Sequence, residues 1–346
     1  MKSYPLYSQK SLKKGFFHLS LKFVLLLIVA VFAFSLIILI FPLILSSVIE
    51  PDTKQAIDQF PVTVHPRNKT IIETPEAEAY FERKLPQLMA STEKSRIIFW
   101  TVITQSVNRI VDSSIYQNLA AVGGSQLNNK FVAINPGFRK EQVATAFARA
   151  LDWTDAEKKE FLTHSPSKEG SFFPSQYVVA ADATPKDVRA LVQERFSREV
   201  LANYGTSTSL IVPIDQALNI ASMIERETIG NRDMRLVSGI IWNRIFSNMK
   251  LQLDATLQYA EASTRASSEW WPTVEPEDKR IRSPYNTYLH TGLPPTPISN
   301  PSVAAILAAL NPLETDCIFY FHDRKGDIHC SVTYGQHVKL IKQYYK

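Results

Sequence analysis

The sequence has 346 residues, 45% of them hydrophobic, and this length predicts two domains with substantial cores. Its net charge of +5 comes from one place: five lysines precede the first acidic residue, Glu50, and the remaining 33 basic residues are balanced by 33 acidic ones. A neutral body argues against nucleic acid as a partner and fits a polar glycan at least as well.

The first predicted element is an apolar run over residues 23–45, which is long enough to cross a bilayer core. The basic tail 1–22 before it and the acidic Glu50 and Asp52 after it predict a cytoplasmic N-terminus and an extracytoplasmic body. A cleaved signal peptide is the alternative. The length of the run and the lack of an A-x-A site after it favour an uncleaved anchor.

After the anchor, residues 46–69 contain prolines and little pattern, which predicts a linker, and residues 74–91 have a charged helical pattern. The apolar stretch 97–119 receives no assignment. A strand over 131–134 and a helix over 140–151 follow, then a long helix over 184–204 and a polar turn over 205–209. This turn predicts the boundary between an N-terminal region, 70–205, and a second domain, 206–346.

The second domain reads as mainly helical, with predicted helices over 215–228, 236–246, 255–262, 301–310 and 333–345. Asn300 is the expected N-cap of the fourth of these helices. Cys317 and Cys330 flank a predicted β-hairpin, and a disulfide and two buried thiols are equally open. The sequence therefore predicts an α+β fold; no zinc-ligand spacing or phosphate loop occurs, so we expect no metal and no cofactor.

The helix over 215–228 carries two glutamates that interrupt its pattern. At about 100° per residue, Glu225 lies roughly 60° from the centre of the apolar face and Glu227 roughly 100° from it, on the other flank. Burial of a carboxyl group at such a position raises its pKa, as a general acid requires near neutral pH. The alternative is that both glutamates lie at the rim and pair with nearby arginines.

Four segments decide between these readings: ASMIERET (221–228), LVSGIIWNRI (236–245), MKLQLDATLQYA (249–260) and SPYNTYLHTGLPPTPISNP (283–301). Their residues and order resemble the YceG-like, or MltG-type, family of endolytic murein transglycosylases, from about residue 131 to the C-terminus. The resemblance implies a LysM-like subdomain at about 130–205 and a catalytic domain at 206–346. It further implies an inner-membrane protein with a periplasmic body, acting on peptidoglycan glycan strands, with cell-wall synthases as candidate partners.

The resemblance also implies a mechanism with one acid. The family cleaves the MurNAc–GlcNAc bond without water, because the C6 hydroxyl of the same MurNAc is the nucleophile. One glutamate can then protonate the departing oxygen and afterwards take the proton from that hydroxyl. The family motif (V/I)-E-(K/R)-E-T falls on residues 224–228, so Glu225 is the predicted catalytic residue and Glu227 the second candidate or a structural partner.

Four further residues match family positions and are candidates for substrate binding: Gln252, Asp254, Tyr285 and Asn286. Asp254 has an alternative role as the N-cap of the following helix, and Asn286 has one as a brace of its own loop. A protein of a different class is also open, namely a catalytically silent glycan-binding or scaffold protein of the cell-wall synthesis complex. The intact motif around Glu225 favours the enzyme.

Overall fold

The computed structural model describes residues 59–92, 129–163, 168–230, 232–264 and 269–345. The predicted tail 1–22, anchor 23–45 and unassigned stretch 97–119 lie outside these residues. Within the described ranges, no helix combines the length and apolar character needed to cross a membrane. All described residues belong to one compact unit.

The elements are numbered in chain order. The strands are β1 (Val64–His65), β2 (Thr70–Ile71), β3 (Asn129–Ala133), β4 (Gln176–Ala180), β5 (Phe319–His322) and β6 (Ile328–Ser331). The helices are α1 (Pro75–Thr92), α2 (Lys140–Ala150), α3 (Asp155–Thr163), α4 (Pro185–Phe196), α5 (Ala202–Ile211), α6 (Ile214–Glu227), α7 (Met234–Phe246), α8 (Asp254–Thr264), α9 (Val303–Leu310) and α10 (Tyr334–Tyr344). Each sheet is a two-stranded antiparallel pair, β1 with β2, β3 with β4 and β5 with β6. This helix-rich arrangement with small sheets confirms the predicted α+β class.

The smaller of two hydrophobic cores lies in a β3–α2–α3–β4 unit. The strands pair with Phe131 opposite Val178. Aromatic rings fill the space between the strands and the helices. The Phe147 ring contacts the rings of both Phe161 and Tyr177. The predicted strand at 131–134 and helix at 140–151 are both present, shifted by at most two residues.

A nearly continuous helical segment joins the two cores. Val188 of α4 packs in the smaller core, whereas Val200 and Tyr204 pack in the larger one. A π-helical turn, Ser197–Leu201, connects α4 to α5. The prediction of a polar turn over 205–209 is wrong, because only Gly205 leaves helical geometry, with φ 66°.

The predicted linker 46–69 differs from the structure at its described end. Phe60 is buried in the larger core, its N–H donates to the Asn203 carbonyl at 2.8 Å, and Val64 is fully buried in β1. Apolar side chains at these positions give the segment a packed face that its low periodicity did not suggest. Helix α1 also joins this core through Tyr80 and Phe81, and the Arg235 guanidinium lies 4.6 Å from the Phe81 ring centre.

The larger core is built from α6, α7 and α9. Trp242 of α7 is fully buried, and its indole N–H donates to the Ala309 carbonyl of α9 at 2.9 Å. The hairpin β5–β6 closes the domain, and Cys317 and Cys330 beside it form a disulfide. Of the two cysteine alternatives, the structure therefore has the bonded one.

Candidate active site

Helix α6 is buried on two faces. Its apolar residues face the larger core, while Asn219 and Ser222, on the other side, are covered by the segment 294–302. Asn219 Nδ2 donates to the Pro294 carbonyl at 2.6 Å, and Ser222 Oγ accepts from the Ile298 N–H at 3.0 Å. Positions three apart share a helix face. Glu225 is therefore the next residue in the stripe along which this segment runs.

Glu225 is half-buried and is hydrogen-bonded to the last residue of that segment, Ser302. Its Oε2 accepts two hydrogen bonds from Ser302, one from the backbone N–H at 2.9 Å and one from Oγ at 2.6 Å. Ser302 is also the N-cap of α9, since its Oγ accepts from the Ala305 N–H at 3.2 Å. The carboxyl group thus lies at the positive end of α9.

Two opposing effects set the proton affinity of Glu225. Burial raises its pKa, while the two bonds from Ser302 and the charge of Arg226 lower it, and the net direction is upward. Both bonds from Ser302 go to Oε2, and among the described residues no hydrogen bond to Oε1 is found. One oxygen is therefore fixed while the other is available to a ligand.

Glu227 is held differently. Its Oε1 accepts from the Ala255 N–H of α8 at 3.2 Å, and its Oε2 accepts from Tyr320 Oη of the hairpin at 2.9 Å. Burial raises its pKa, these two bonds oppose the rise, and the charge of Asp254 adds to it. With both oxygens engaged, Glu227 connects α6, α8 and the hairpin, and within the described residues its carboxylate forms no ion pair with an arginine, the partner expected for its structural alternative.

Asp254 is exposed at the start of α8. Its Oδ1 accepts from Tyr288 Oη at 2.6 Å, whereas the neighbouring Ala255 N–H is already bound to Glu227. Burial raises the pKa of Tyr288, and the bond to Asp254 adds to the rise. Asp254 is itself the first residue of α8, and among the described residues its carboxylate accepts no bond from a backbone N–H of that helix, so the alternative role as N-cap is wrong.

The other predicted binding residues lie in the adjoining loops. Gln252 has an exposed side chain on a left-handed backbone, φ 53°, and its N–H donates to the Thr287 carbonyl at 3.1 Å. Tyr285 is half-buried, and its Oη shares a hydrogen bond with Thr296 Oγ1 at 2.8 Å. Asn286 is fully buried and its amide binds backbone groups of its own loop, including the Ile281 carbonyl at 2.8 Å. Asn286 thus takes its alternative role as a loop brace.

The roles of two residues near the site, Ser302 and Asn300, were not predicted from the sequence. Ser302, not Asn300, is the N-cap of α9, so the predicted helix over 301–310 begins two residues too early. A serine directly before the apolar run 303–310 was the available signal. Asn300 instead binds the β3–α2–α3–β4 unit, and no local pattern indicates a partner over 100 residues away.

The β3–α2–α3–β4 unit packs directly against the C-terminal end of α6. The Arg226 guanidinium lies 3.9 Å from the Trp271 ring centre, and the Trp271 indole N–H donates to Gln142 of α2 at 3.1 Å. Gly137 has φ 79°, and a Cβ there would lie 3.3 Å from Arg226 Cδ and 3.7 Å from Glu225 Cγ. Only glycine suits this left-handed and crowded position, so the unit forms one wall beside Glu225.

Comparison with known proteins places the chain among relatives by sequence. A sequence model of the YceG-like family matches residues 106–343. The chain is 29% identical over 177 residues to an endolytic murein transglycosylase of Bacillus subtilis (strain 168), covering 51% of this chain and 48% of that protein. It is 27% identical over 180 residues to one of Streptococcus pneumoniae serotype 2 (strain D39), covering 51% of this chain and 32% of that protein. The chain thus spans about a third to a half of these relatives' lengths.

A solved structure shows the same fold. The crystal structure of a yceG-like protein from Listeria monocytogenes superposes with a TM-score of 0.53 at 24% identity, covering 61% of this chain and 75% of that one. The match of the family model extends over more than half of the sequence, and it includes the ends of α6 and α9 that meet at Glu225. The chain belongs to the YceG-like family.

Proposed function

We propose that this chain is a lytic murein transglycosylase in which Glu225 is first the general acid and then the general base. The observation that carries the proposal is the state of Glu225: it is half-buried, its pKa is raised, and one oxygen is fixed by Ser302. The two relatives named as endolytic murein transglycosylases support the same activity.

The reaction needs only this one carboxyl group. The bond between C1 of MurNAc and O4 of GlcNAc breaks as Glu225 gives its proton to O4. The C6 hydroxyl of the same MurNAc then bonds to C1, its proton passes to Glu225, and a 1,6-anhydro ring closes. The acid is restored without water. A hydrolase would need a second carboxyl group as base or nucleophile.

Ser302 suits both steps. Its two hydrogen bonds hold the carboxyl group in one orientation and stabilise the anion formed after the first proton transfer. Burial works against that anion and raises the pKa of Glu225, so the carboxyl group keeps its proton to a higher pH than a free glutamate does. Rate should therefore fall as pH rises through the raised pKa of Glu225, because the acid is then lost before the bond breaks.

Incubation of purified chain with insoluble murein tests the activity. We expect soluble glycan fragments to be released. A catalytically silent glycan-binding protein would cosediment with the murein and release nothing, so this assay separates the two classes of function.

Asp254 is the proposed substrate contact, with Gln252 and Tyr285 as further candidates in the adjoining loops. Asp254 is exposed, and its hydrogen bond with Tyr288 orients it. A carboxylate so placed can accept from sugar hydroxyls or stabilise positive charge in an oxocarbenium-like transition state.

The variant Asp254→Asn tests this role. We expect lower turnover at a nearly unchanged melting temperature, because Asn keeps the shape but loses the charge. Tyr288→Phe is the matched control, since it removes only the hydroxyl that donates to Asp254, and it should retain more activity. Near-full activity of Asp254→Asn in the murein release assay would reject the role.

The smaller β3–α2–α3–β4 unit is proposed as the LysM-like subdomain. Two helices between paired antiparallel strands, with their own aromatic core, support this proposal. Its glycan would be a strand that continues beyond the site of cleavage, since the unit adjoins Glu225 through Gly137.

The cellular setting is also a proposal: an anchor at residues 23–45 in the inner membrane with the body in the periplasm, beside the synthases of nascent strands. The lysine asymmetry around the apolar run motivates it. We expect a reporter that is active only outside the cytoplasm to be active when it is fused after Lys346. Activity of a cytoplasm-dependent reporter at that position would contradict the topology, and recovery of a mature chain without residues 1–45 would contradict the anchor.

A further inference from the structure

Asn300 binds the smaller β3–α2–α3–β4 unit through both its side chain and its backbone. It is fully buried, its N–H and Nδ2 both donate to the Phe138 carbonyl, at 2.8 and 2.9 Å, and its Oδ1 accepts from the Phe172 N–H at 2.8 Å. Its carbonyl accepts from the Gly137 N–H at 2.8 Å. Each of these partners belongs to the smaller unit, so this one side chain and its backbone fix the position of residue 300 against that unit.

Glu169 completes this arrangement. Its carboxyl group is almost fully buried, and its Oε1 accepts from Asn300 Nδ2 at 3.1 Å and from the Lys140 N–H at 2.9 Å. Its Oε2 is buried without a hydrogen-bond partner among the described residues. Burying a carboxyl group costs free energy, and this one serves neither the acid step nor an ion pair at hydrogen-bonding distance within the described structure. The buried Glu169 carboxyl group is therefore expected to have a function at the contact between Asn300 and the smaller unit.

The surroundings of Glu169 mix both signs of charge. Burial raises its pKa to about 8; the charge of Glu141 adds to the rise, while the Lys140 N–H and the charges of Arg139 and Lys140 oppose it. The charged and titratable groups that face it are Arg139 at the N-cap of α2, Lys140 and Glu141 in its first turn, and Tyr259 of α8. The acceptor toward Asn300 is Oε1 whether or not the group carries a proton.

Ser302, the residue that binds Glu225, lies only two positions along the chain from Asn300. Asn300 is followed by Pro301, whose fixed φ makes the connection stiff, and then by Ser302, whose N–H and hydroxyl bind Glu225. If Asn300 moves, Ser302 should therefore move with it by a similar distance.

We propose that Glu169 is a positioning residue: by holding Asn300 it keeps Ser302 in place against the carboxyl group of Glu225. The inference rests on the proposed function for its effect on rate, but the placement of Ser302 can be measured without any activity.

The first test compares Glu169→Ala with Glu169→Gln in the murein release assay across pH. Glu169→Ala removes the acceptor, so we expect kcat to fall at least about tenfold with KM little changed, since displacing a catalytic group by 1 Å can cost on the order of 10²-fold. The basic limb of kcat/KM should move to higher pH, because weaker bonds from Ser302 lower the pKa of Glu225 less. Glu169→Gln keeps an acceptor oxygen and should restore both values to near wild type.

The second test reads the placement of Ser302 directly by hydrogen exchange in peptides covering residues 300–306. We expect faster exchange in Glu169→Ala and wild-type exchange in Glu169→Gln. Glu157→Ala is the control within the smaller unit: the half-buried Glu157 accepts from the Thr154 N–H at 2.8 Å at the start of α3 and makes no hydrogen bond to Asn300. It should change neither the exchange of 300–306 nor the basic limb.

Three outcomes would overturn the proposal: an unshifted basic limb in Glu169→Ala, exchange at 300–306 equal to wild type, or the same changes in Glu157→Ala. If Glu169→Ala is not recovered folded, Glu169→Asp replaces it, because its side chain is one methylene shorter and its carboxyl group cannot reach Asn300 as before. The basic limb should again move to higher pH and residues 300–306 should exchange faster. If neither occurs, the proposal fails. A wild-type chain that releases no glycan would refute the proposed function, while the exchange measurement would still decide the placement of Ser302.

Discussion

Glu225→Gln should abolish most of the activity while leaving the fold intact. A glutamine side chain can accept both hydrogen bonds from Ser302 but can neither give nor take the proton. General acid–base catalysis contributes on the order of 10²–10⁴-fold, and this is the loss we expect in the initial rate of glycan release. The melting temperature should be at or above that of the wild type, because a buried amide carries no charge to desolvate.

Glu227→Gln is the matched control for that variant. It lies two residues further along the same helix, is buried to a similar degree, and also has a raised pKa. Its oxygens bind Ala255 and Tyr320, so its replacement should cost stability more than rate. Equal loss of activity in both variants, or loss only in Glu227→Gln, would mean that the acid is not Glu225.

Trp242→Ala should produce the largest loss of stability. The side chain is fully buried between α7 and α9, and replacement of such a residue typically costs about 3–5 kcal/mol. Natural domains unfold with roughly 5–15 kcal/mol, so about a fifth or more of the stability is expected to be lost. Denaturant unfolding followed by circular dichroism measures the free energy of unfolding.

Trp242→Phe separates the two contributions of this side chain. It keeps most of the apolar volume and removes the N–H that donates to Ala309, so we expect a smaller loss, about 1–3 kcal/mol. A change below about 1 kcal/mol in Trp242→Ala would show that the packing of α7 on α9 is not as the structure has it.

The helix that carries Glu225 was predictable because its signal is local. The apolar spacing of residues 214, 217, 218, 221, 224 and 228 predicts α6 to within one residue at each end, and the family motif selects Glu225. The same spacing predicts Asn219 and Ser222 on the face of the helix opposite its apolar residues. It could not show that the segment 294–302 buries them, since that contact depends on residues about 75 positions away.

The surroundings of the acid were not predictable from local pattern for the same reason. Ser302 meets Glu225 across 77 residues of sequence, and Glu169 meets Asn300 across 131. The role of Glu227 as the partner of the Ala255 N–H was equally hidden, because Asp254 stands at the position where a local cap is expected. Tertiary contacts overrode local propensity at each of these places.

The measurement that tests the central claim most directly is the chemical nature of the newly formed glycan ends. Fragments released from murein by the purified chain are analysed by mass spectrometry, which separates an anhydro end from a hydrolysed reducing end by the mass of one water. If Glu225 acts alone as acid and then base, the new ends are non-reducing 1,6-anhydro-MurNAc. Reducing ends as the main product would contradict this account and indicate a hydrolase with a second carboxylate, for which Asp254 would be the candidate.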